Sequence, residues 1–163
     1  MIRAGAFLVW VVAASAMMLA GASAQLAPEI SDGPIDITGD RLEVVDDVAT
    51  WTGNVRAVQG EALLTAEKLI ADLDDSGAFT RIRAIGSVRY SNGKEAITGK
   101  VGVYDAETRT ITISDDVVVT QGEQVMTGGE LVYWVDTKRL LFTAPNGRRI
   151  RGIFYAKGTG EQS

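Results

Sequence analysis

Four segments of the chain begin alike and recur at nearly regular intervals. Each opens with Thr followed by Gly or Ala, continues with alternating apolar residues, and reaches an Asp seven to nine residues after the Thr. The segments are "TGDRLEVVDD" (38–47), "TAEKLIADLDD" (65–75), "TGKVGVYDAE" (98–107) and "TGGELVYWVD" (127–136), and their Thr residues are 27, 33 and 29 positions apart. Self-similarity at this period is typical of a repeated supersecondary unit.

The runs between these openings alternate between apolar and polar residues, which is typical of β-strands with one buried face. Asp-rich and Asn-Gly pairs, such as Asp46-Asp47 and Asn92-Gly93, separate the runs and predict short turns. The sequence therefore predicts an all-β fold of roughly sixteen short strands, arranged as a sandwich or an open-ended antiparallel jelly roll. A parallel β-helix would also suit a period near 29, but the short turns favour antiparallel hairpins.

The N-terminus has the pattern of a secretory signal peptide. Arg3 precedes an apolar run, and Ala22-Ser23-Ala24 supplies the small residues of a cleavage site, so we expect cleavage after Ala24 and export. The alternative is a retained membrane anchor, although the run is shorter than a typical span. The predicted organisation is a signal peptide at 1–24, a linker at 25–34, one β domain at 35–157 and a disordered tail at 158–163.

Composition excludes several classes of function. The net charge is −5, which argues against nucleic acid as the main partner because binding phosphate backbones requires a basic face. The chain contains neither His nor Cys, so cysteine and Ser-His nucleophiles and the usual zinc sites are absent. No P-loop motif occurs either. We therefore expect no enzyme activity, no catalytic residues, no metal and no cofactor.

One long stretch resembles a known family. The sequence "PIDITGDRLEVVDDVATWTGNVRAVQGEALLTAEKLIADL" (34–73) is similar to the periplasmic lipopolysaccharide-transport family called LptA or OstA-like. The matching pieces are the opening Ile-x-Ile, the "TWTGNV" hairpin, the "QG" turn and the Ala-x-x-Leu strand. The segment "TGGELVYWVDTKRL" (127–140) resembles the last full repeat of that family, and the likeness extends over about residues 34 to 152.

The resemblance implies a twisted, open-ended β jelly roll whose interior holds the acyl chains of lipopolysaccharide. It also implies that copies stack head-to-tail with each other and with related inner-membrane and outer-membrane proteins, forming a periplasmic bridge between the membranes. Physical chemistry agrees with such a role, since each acyl CH₂ removed from water is worth about 0.8 kcal/mol. An apolar trough lowers this barrier without any catalytic residue.

Aligning the repeats predicts which side chains point inward and would contact lipid. The predicted interior set is Ile35, Ile37, Leu42, Val44, Trp51, Val55, Leu69, Val88, Ile113, Val117, Leu131, Tyr133 and Phe142. In the third repeat the inward pair is either Val101 and Val103 or Gly102 and Tyr104. Each aromatic residue of the set either lines a trough or fills a core, because both arrangements have the same sequence pattern.

Two charged features have competing interpretations. The paired acids at 46–47, 74–75 and 115–116 are interpreted as turn and edge residues rather than a glycosidase pair or a calcium site. The C-terminal region from Thr137 to Gly160 contains six basic residues and no acid. Within it, Arg148, Arg149 and Arg151 form either an edge protected against unwanted pairing or a cationic edge that meets lipid phosphates or an acidic partner.

The alternative function is a structural or adhesive β-repeat protein that assembles through its edges and binds no lipid. Such a protein should fill its interior with bulky side chains, whereas a lipid carrier should leave a cavity. A third hypothesis is the detached periplasmic domain of a larger outer-membrane relative, which the end of the sequence at Ser163 disfavours.

Overall fold

The computed structural model describes residues 33–145 and 147–155, and within these ranges the chain forms ten β-strands and no helix. The predicted signal peptide, nearly all of the predicted linker and the predicted tail lie outside the described residues. The strands are β1 Asp36–Thr38, β2 Arg41–Val45, β3 Val48–Gln59, β4 Ala62–Leu73, β5 Phe79–Ser91, β6 Glu95–Asp105, β7 Thr110–Gln121, β8 Gln124–Trp134, β9 Arg139–Thr143 and β10 Arg151–Ile153.

All strand pairs are antiparallel and belong to one sheet of the order β1-β3-β4-β5-β6-β7-β8-β10, with β2 beside β3 and β9 beside β8. The long strands β3 to β8 are joined in sequence by short turns, as the Asp-rich and Asn-Gly pairs predict. The first and last strands do not pair with each other, so the sheet is open. This arrangement confirms the predicted all-β, open-ended jelly roll.

The strand number differs from the predicted sixteen because six strands are 11 to 13 residues long. Each of these six strands passes through a shift in pairing register, and dividing each one there would give sixteen segments. The shifts centre on three bulges, at Gly53-Asn54, Gly86-Ser87 and Asp115-Asp116. Both residues of each pair have positive φ, between 45° and 81°. These pairs immediately precede the repeated Val, so "TGNV" continues one strand instead of ending it.

The bulges divide the sheet into two layers of eight segments each. Layer A contains β2, 48–52, 68–73, 79–85, 101–105, 110–114, 130–134 and β9. Layer B contains β1, 55–59, 62–66, 88–91, 95–99, 117–121, 124–128 and β10. Buried side chains from both layers pack in common clusters, so the layers face each other across the interior.

The pairing register fixes which residues share the inner face. Directly paired residues in layer A form the row Leu42, Trp51, Leu69, Ala84, Gly102, Ile113, Leu131 and Phe142. A second inner row is Val44, Ala49, Ala71, Ile82, Tyr104, Ile111, Tyr133 and Leu140. Paired residues point to the same side of a sheet, so the inward pair of the third repeat is Gly102 and Tyr104.

The paired acids occupy two kinds of position. Asp46-Asp47 and Asp74-Asp75 lie between strands, as predicted, and the Asp74 carboxylate accepts hydrogen bonds from the backbone N–H groups of Ser76 and Ala78. The interpretation of Asp115-Asp116 as a strand-to-strand turn is wrong, because both residues lie inside β7 at its bulge. There Asp116 forms an ion pair of 2.9 Å with Lys100 of β6.

Candidate functional site

The interior contains a cavity of about 690 Å³ between the two layers, in the N-terminal part of the molecule. Its walls are mostly apolar and include Ile37, Leu64, Leu69, Phe79, Ile82 and Ile113. Four longer polar side chains also line it, Gln59, Tyr90, Tyr104 and Arg109. The volume falls within the range of ligand-binding pockets, which is about 300–1,000 Å³. The protein therefore has room for an apolar ligand inside its fold.

The C-terminal part of the interior is packed instead of hollow. Six buried residues form its core, namely Ile97, Ile113, Val117, Val119, Leu131 and Tyr133, with Met126, Leu140 and Phe142 packed against them. The ring of Phe142 lies so close to β8 that a Cβ added at Gly128 would be 2.5 Å from it. Ile113 belongs both to this C-terminal cluster and to the cavity wall, so the cavity ends where the cluster begins.

Side-chain size along the inner rows explains the contrast. The inner row beside the cavity includes the small residues Ala84 and Gly102, whereas the C-terminal side of the same row carries Leu131 and Phe142. Small residues leave space between the layers, whereas large residues fill it.

The structure places the predicted interior residues on the inner face but in four different settings. Ile35, Ile37, Leu69, Val88 and Ile113 line the cavity. The C-terminal cluster contains Ile113, Val117, Leu131 and Tyr133, with Phe142 against it. Val55 and Trp51 pack with Leu69 in a smaller cluster. Leu42 and Val44 lie on the exposed edge strand β2, with 54% and 61% of their surface accessible.

Sequence reasoning missed much of the cavity wall, including Ala57, Leu64, Phe79 and Ile82, and left open whether Tyr104 points inward. The inner rows would have identified two of these residues: Ala57 pairs directly with Ile37, and Ile82 lies in the same row as Val44 and Tyr133. No sequence pattern indicated that Arg109 would line the cavity. This residue lies in the turn between β6 and β7, with φ of +49°, and its guanidinium forms an ion pair with Asp136.

Buried polar groups lie beside the hairpin between β5 and β6. Asn92 and Glu95 are 3% and 4% exposed, and the Asn92 amide donates a 3.2 Å hydrogen bond to the Glu95 carboxylate. Burial, and secondarily the charge of Glu95, raises the pKa of Tyr133 above its usual value. The Tyr133 hydroxyl therefore stays protonated throughout the physiological range.

Most of the large exposed apolar residues lie at the two ends of the sheet. On or beside the first strands they are Ile35, Leu42, Val44 and Val45, and on or beside the last strands Leu141, Ile150, Ile153, Phe154 and Tyr155. Arg148, Arg149 and Arg151, the predicted cationic edge, are also exposed beside or within β10. Both ends thus combine unpaired backbone with exposed apolar surface, a combination typical of pairing sites.

Metal and membrane features are absent from the part of the chain that the structure describes. No group of three or more Asp or Glu residues there is arranged to hold a metal ion. Among the same residues, no helix is long and apolar enough to cross a membrane.

Comparisons with known proteins agree with this architecture. A solved structure of LptH from Pseudomonas aeruginosa, described as the LptA homologous periplasmic component of the conserved lipopolysaccharide transport device, matches with a TM-score of 0.63. The match has 21% sequence identity and covers 76% of this chain and 96% of LptH, so it supports the fold. The search of curated proteins found no match. Residues 34–139 match the family described as LptA/(LptD N-terminal domain) LPS transport protein, and the chain therefore belongs to this family.

Proposed function

We propose that the protein is a periplasmic carrier that shields acyl chains of lipopolysaccharide in its interior and passes them towards the outer membrane. The observation that carries this proposal is the apolar cavity between the layers. A purely structural β-repeat protein has no need to leave such a space, because empty apolar volume reduces stability. Membership of a lipopolysaccharide-transport family makes a lipid the natural occupant.

The size of the cavity limits how much lipid it holds. At about 30 Å³ for each water-sized group, the 690 Å³ cavity accommodates roughly twenty or more non-hydrogen atoms, enough for one or two acyl chains. Burial of a dozen CH₂ groups stabilises the complex by about 10 kcal/mol before the cost of ordering the chain, at about 0.8 kcal/mol each. Binding of acyl chains therefore requires no catalytic residue and no cofactor.

Two adjacent leucines provide a matched test of this proposal. Leu64 lines the cavity, while Leu63 pairs with Val58 and Ser91 on the opposite face of the same strand. We expect Leu64→Asp to weaken binding of purified lipopolysaccharide at least tenfold, because a carboxylate beside acyl chains is costly to desolvate. Leu63→Asp should bind within twofold of the wild type. Circular dichroism checks that both variants fold, and equal binding by two folded variants would contradict an interior site.

We further propose that copies assemble head-to-tail through their edge strands. Each layer contains an even number of segments, eight, so its last strand runs opposite to its first. In a stack, β10 of one copy would continue layer B by pairing antiparallel with β1 of the next. In the same way β9 would pair with β2 in layer A. Strand addition of this kind satisfies the free backbone groups of both edges.

Charge and apolar surface support this mode of assembly. Asp36 of β1 and Arg151 of β10 lie on the outer face of layer B at opposite ends of the molecule, so stacking would bring unlike charges together. Arg148 and Arg149 add positive charge beside the same edge. We therefore assign these arginines to partner contacts, either with another copy or with a related protein at the inner or outer membrane.

The assembly proposal has its own matched test. Leu141 on the edge strand β9 and Ile85 within β5 are exposed to nearly the same extent, 40% and 39%. Leu141→Asp should abolish concentration-dependent oligomers in light scattering, because a charge on an edge strand opposes pairing. Ile85→Asp should leave the oligomers unchanged. If both variants, or neither, lose oligomers, assembly does not use this edge.

A further inference from the structure

The cavity extends to the turn-bearing edge of each layer, which is the side opposite the bulges that join the layers. Its lining includes Gln59 and Ala62, on either side of a turn of layer B. On layer A it includes Arg109, in the turn between β6 and β7, and Val135, just after β8. A ligand held among the apolar walls would therefore present its polar end between these turns.

Within residues 33–145 and 147–155, Arg109 is the one charged residue that lines the cavity. Its side chain is half-exposed, at 50%, and its guanidinium forms an ion pair with Asp136, in the next turn along the same edge. A half-exposed pair of this kind contributes little to stability, so an anionic ligand can replace Asp136 at small cost.

The turn-bearing edge of layer A around the cavity is rich in acidic residues, so Arg109 provides a positive charge in a mostly acidic setting. The acids in or next to its turns are Asp46, Asp47, Asp74, Asp75, Asp105, Glu107 and Asp136. Two of these are occupied by local hydrogen bonds: the Asp74 carboxylate accepts from Ser76 and Ala78, and the Asp105 carboxylate accepts from Thr108. These bonds hold the pKa of both acids below the usual value, so both stay charged, and Asp105 is in addition paired with Arg81.

We propose that Arg109 recognises the anionic headgroup of the amphiphile whose acyl chain occupies the cavity. This inference rests on the proposed function, since it assigns a headgroup contact to the same interior site. A guanidinium binds phosphate or carboxylate oxygens with two parallel hydrogen bonds. The acidic turns on either side exclude anions that lack an acyl chain to anchor them. Arg109 therefore selects anionic amphiphiles over neutral ones.

The test compares single-chain probes below their micelle concentrations by isothermal titration calorimetry. The probes are dodecyl phosphate, dodecanoate and the uncharged monododecanoylglycerol, which share a chain length and differ in headgroup. Arg109→Gln should weaken binding of the anionic probes by about two- to fivefold, the upper part of the range for an exposed charged contact. Binding of the neutral probe should change less than twofold. Asp136→Asn should strengthen anionic binding, because it removes the competing carboxylate.

Arg81→Gln is the matched control. Arg81 lies on the same edge of layer A and pairs with Asp105 at 3.2 Å, with 52% of its side chain exposed, but it is not among the residues that line the cavity. Its removal should leave all three affinities unchanged. Equal losses in the Arg81 and Arg109 variants would overturn the inference, since they would reflect net charge alone. A wild type that binds charged and neutral probes equally would overturn the headgroup role and leave the carrier function intact. A wild type that binds no probe would overturn both.

Discussion

The two ends of the interior are built from the same repeat but differ in what fills them. On the N-terminal side, small residues such as Ala84 and Gly102 face a cavity of about 690 Å³. On the C-terminal side, the same inner row carries Leu131 and Phe142, which pack into a continuous cluster. The strands pair antiparallel in both regions. The difference indicates that side-chain size at in-phase positions contributes to where this fold is hollow.

The two regions also differ in their expected roles, since the packed cluster stabilises the fold and the cavity is the proposed binding site. Leu131, Val117 and Val119 are at most 1% exposed and form the close-packed part of the molecule. The cavity wall has fewer fully buried side chains, and many of its residues are half-buried. A carrier needs both regions, because the packed cluster stabilises a sheet that would otherwise lose stability through its own cavity.

The largest expected effect on stability comes from truncating a side chain of the packed cluster. Leu131→Ala should lower the free energy of unfolding by about 3 kcal/mol, since Leu131 is fully buried and its removal leaves a void. Ile82→Ala, in the cavity wall, should cost only about 1 kcal/mol, because Ile82 is half-buried and already borders open space. Urea denaturation measures both. Equal losses would show that the two regions are packed alike.

Filling the cavity should affect binding more than stability. Ala84 lines the cavity and is 2% exposed, so the added carbons of Ala84→Leu would lie in the cavity. This substitution should weaken binding of an acyl probe about tenfold, which is equivalent to about 1.4 kcal/mol. Ala71→Leu is the control, because Ala71 is fully buried within a packed cluster and does not line the cavity. It should lose about 1–3 kcal/mol of stability through overpacking. The reverse pattern would contradict the assigned cavity boundaries.

A smaller effect on stability is expected at the bulges, because the bulge of β5 has a Gly where the bulge of β7 has an Asp. Gly86 has φ of +81°, and a Cβ there would lie 2.5 Å from the Glu67 carboxylate, so Gly86→Ala should cost about 1–2 kcal/mol. The bulge of β7 has Asp115 at the equivalent position, with φ of +66°. Asp115→Gly should therefore stabilise the protein by about 0.5 kcal/mol, the strain relieved minus the flexibility added. Thermal unfolding distinguishes the two signs, and a loss in the Asp115 variant would contradict the account.

The smallest effect concerns the ion pair at this bulge. The hydrogen bond and the charge of Lys100 lower the pKa of Asp116 below its usual value. A lowered pKa stabilises the fold above the ordinary Asp value of about 3.9, and this contribution is lost as the pH falls through the folded-state pKa. The melting temperature of Lys100→Gln should thus lie slightly below that of the wild type at pH 7, and the gap should close as the pH falls through the folded-state pKa of Asp116. A gap that widens in acid would contradict this sign.

The sequence was sufficient for the all-β class, the turns and the inner face, because alternation and turn chemistry are local. The strand count was not predictable, since Gly53-Asn54 resembles a turn signal and only the partner strand shows that β3 continues through it. Distinguishing cavity from core was also impossible, because Leu69 and Leu131 have the same pattern and the space between layers depends on residues distant in sequence. Arg109 reaches the cavity only through the turn geometry of the folded chain.

The most direct test of the central claim is photo-crosslinking to lipopolysaccharide from two positions in one inner row. Ile82 lines the cavity, and Leu140 occupies the same row beside the C-terminal cluster. A photoreactive phenylalanine at position 82 should form a lipopolysaccharide adduct, while the same residue at position 140 should form little or none. Equal adducts at both positions would contradict the confinement of acyl chains to the N-terminal cavity, and an adduct at 140 alone would show that they do not reside there.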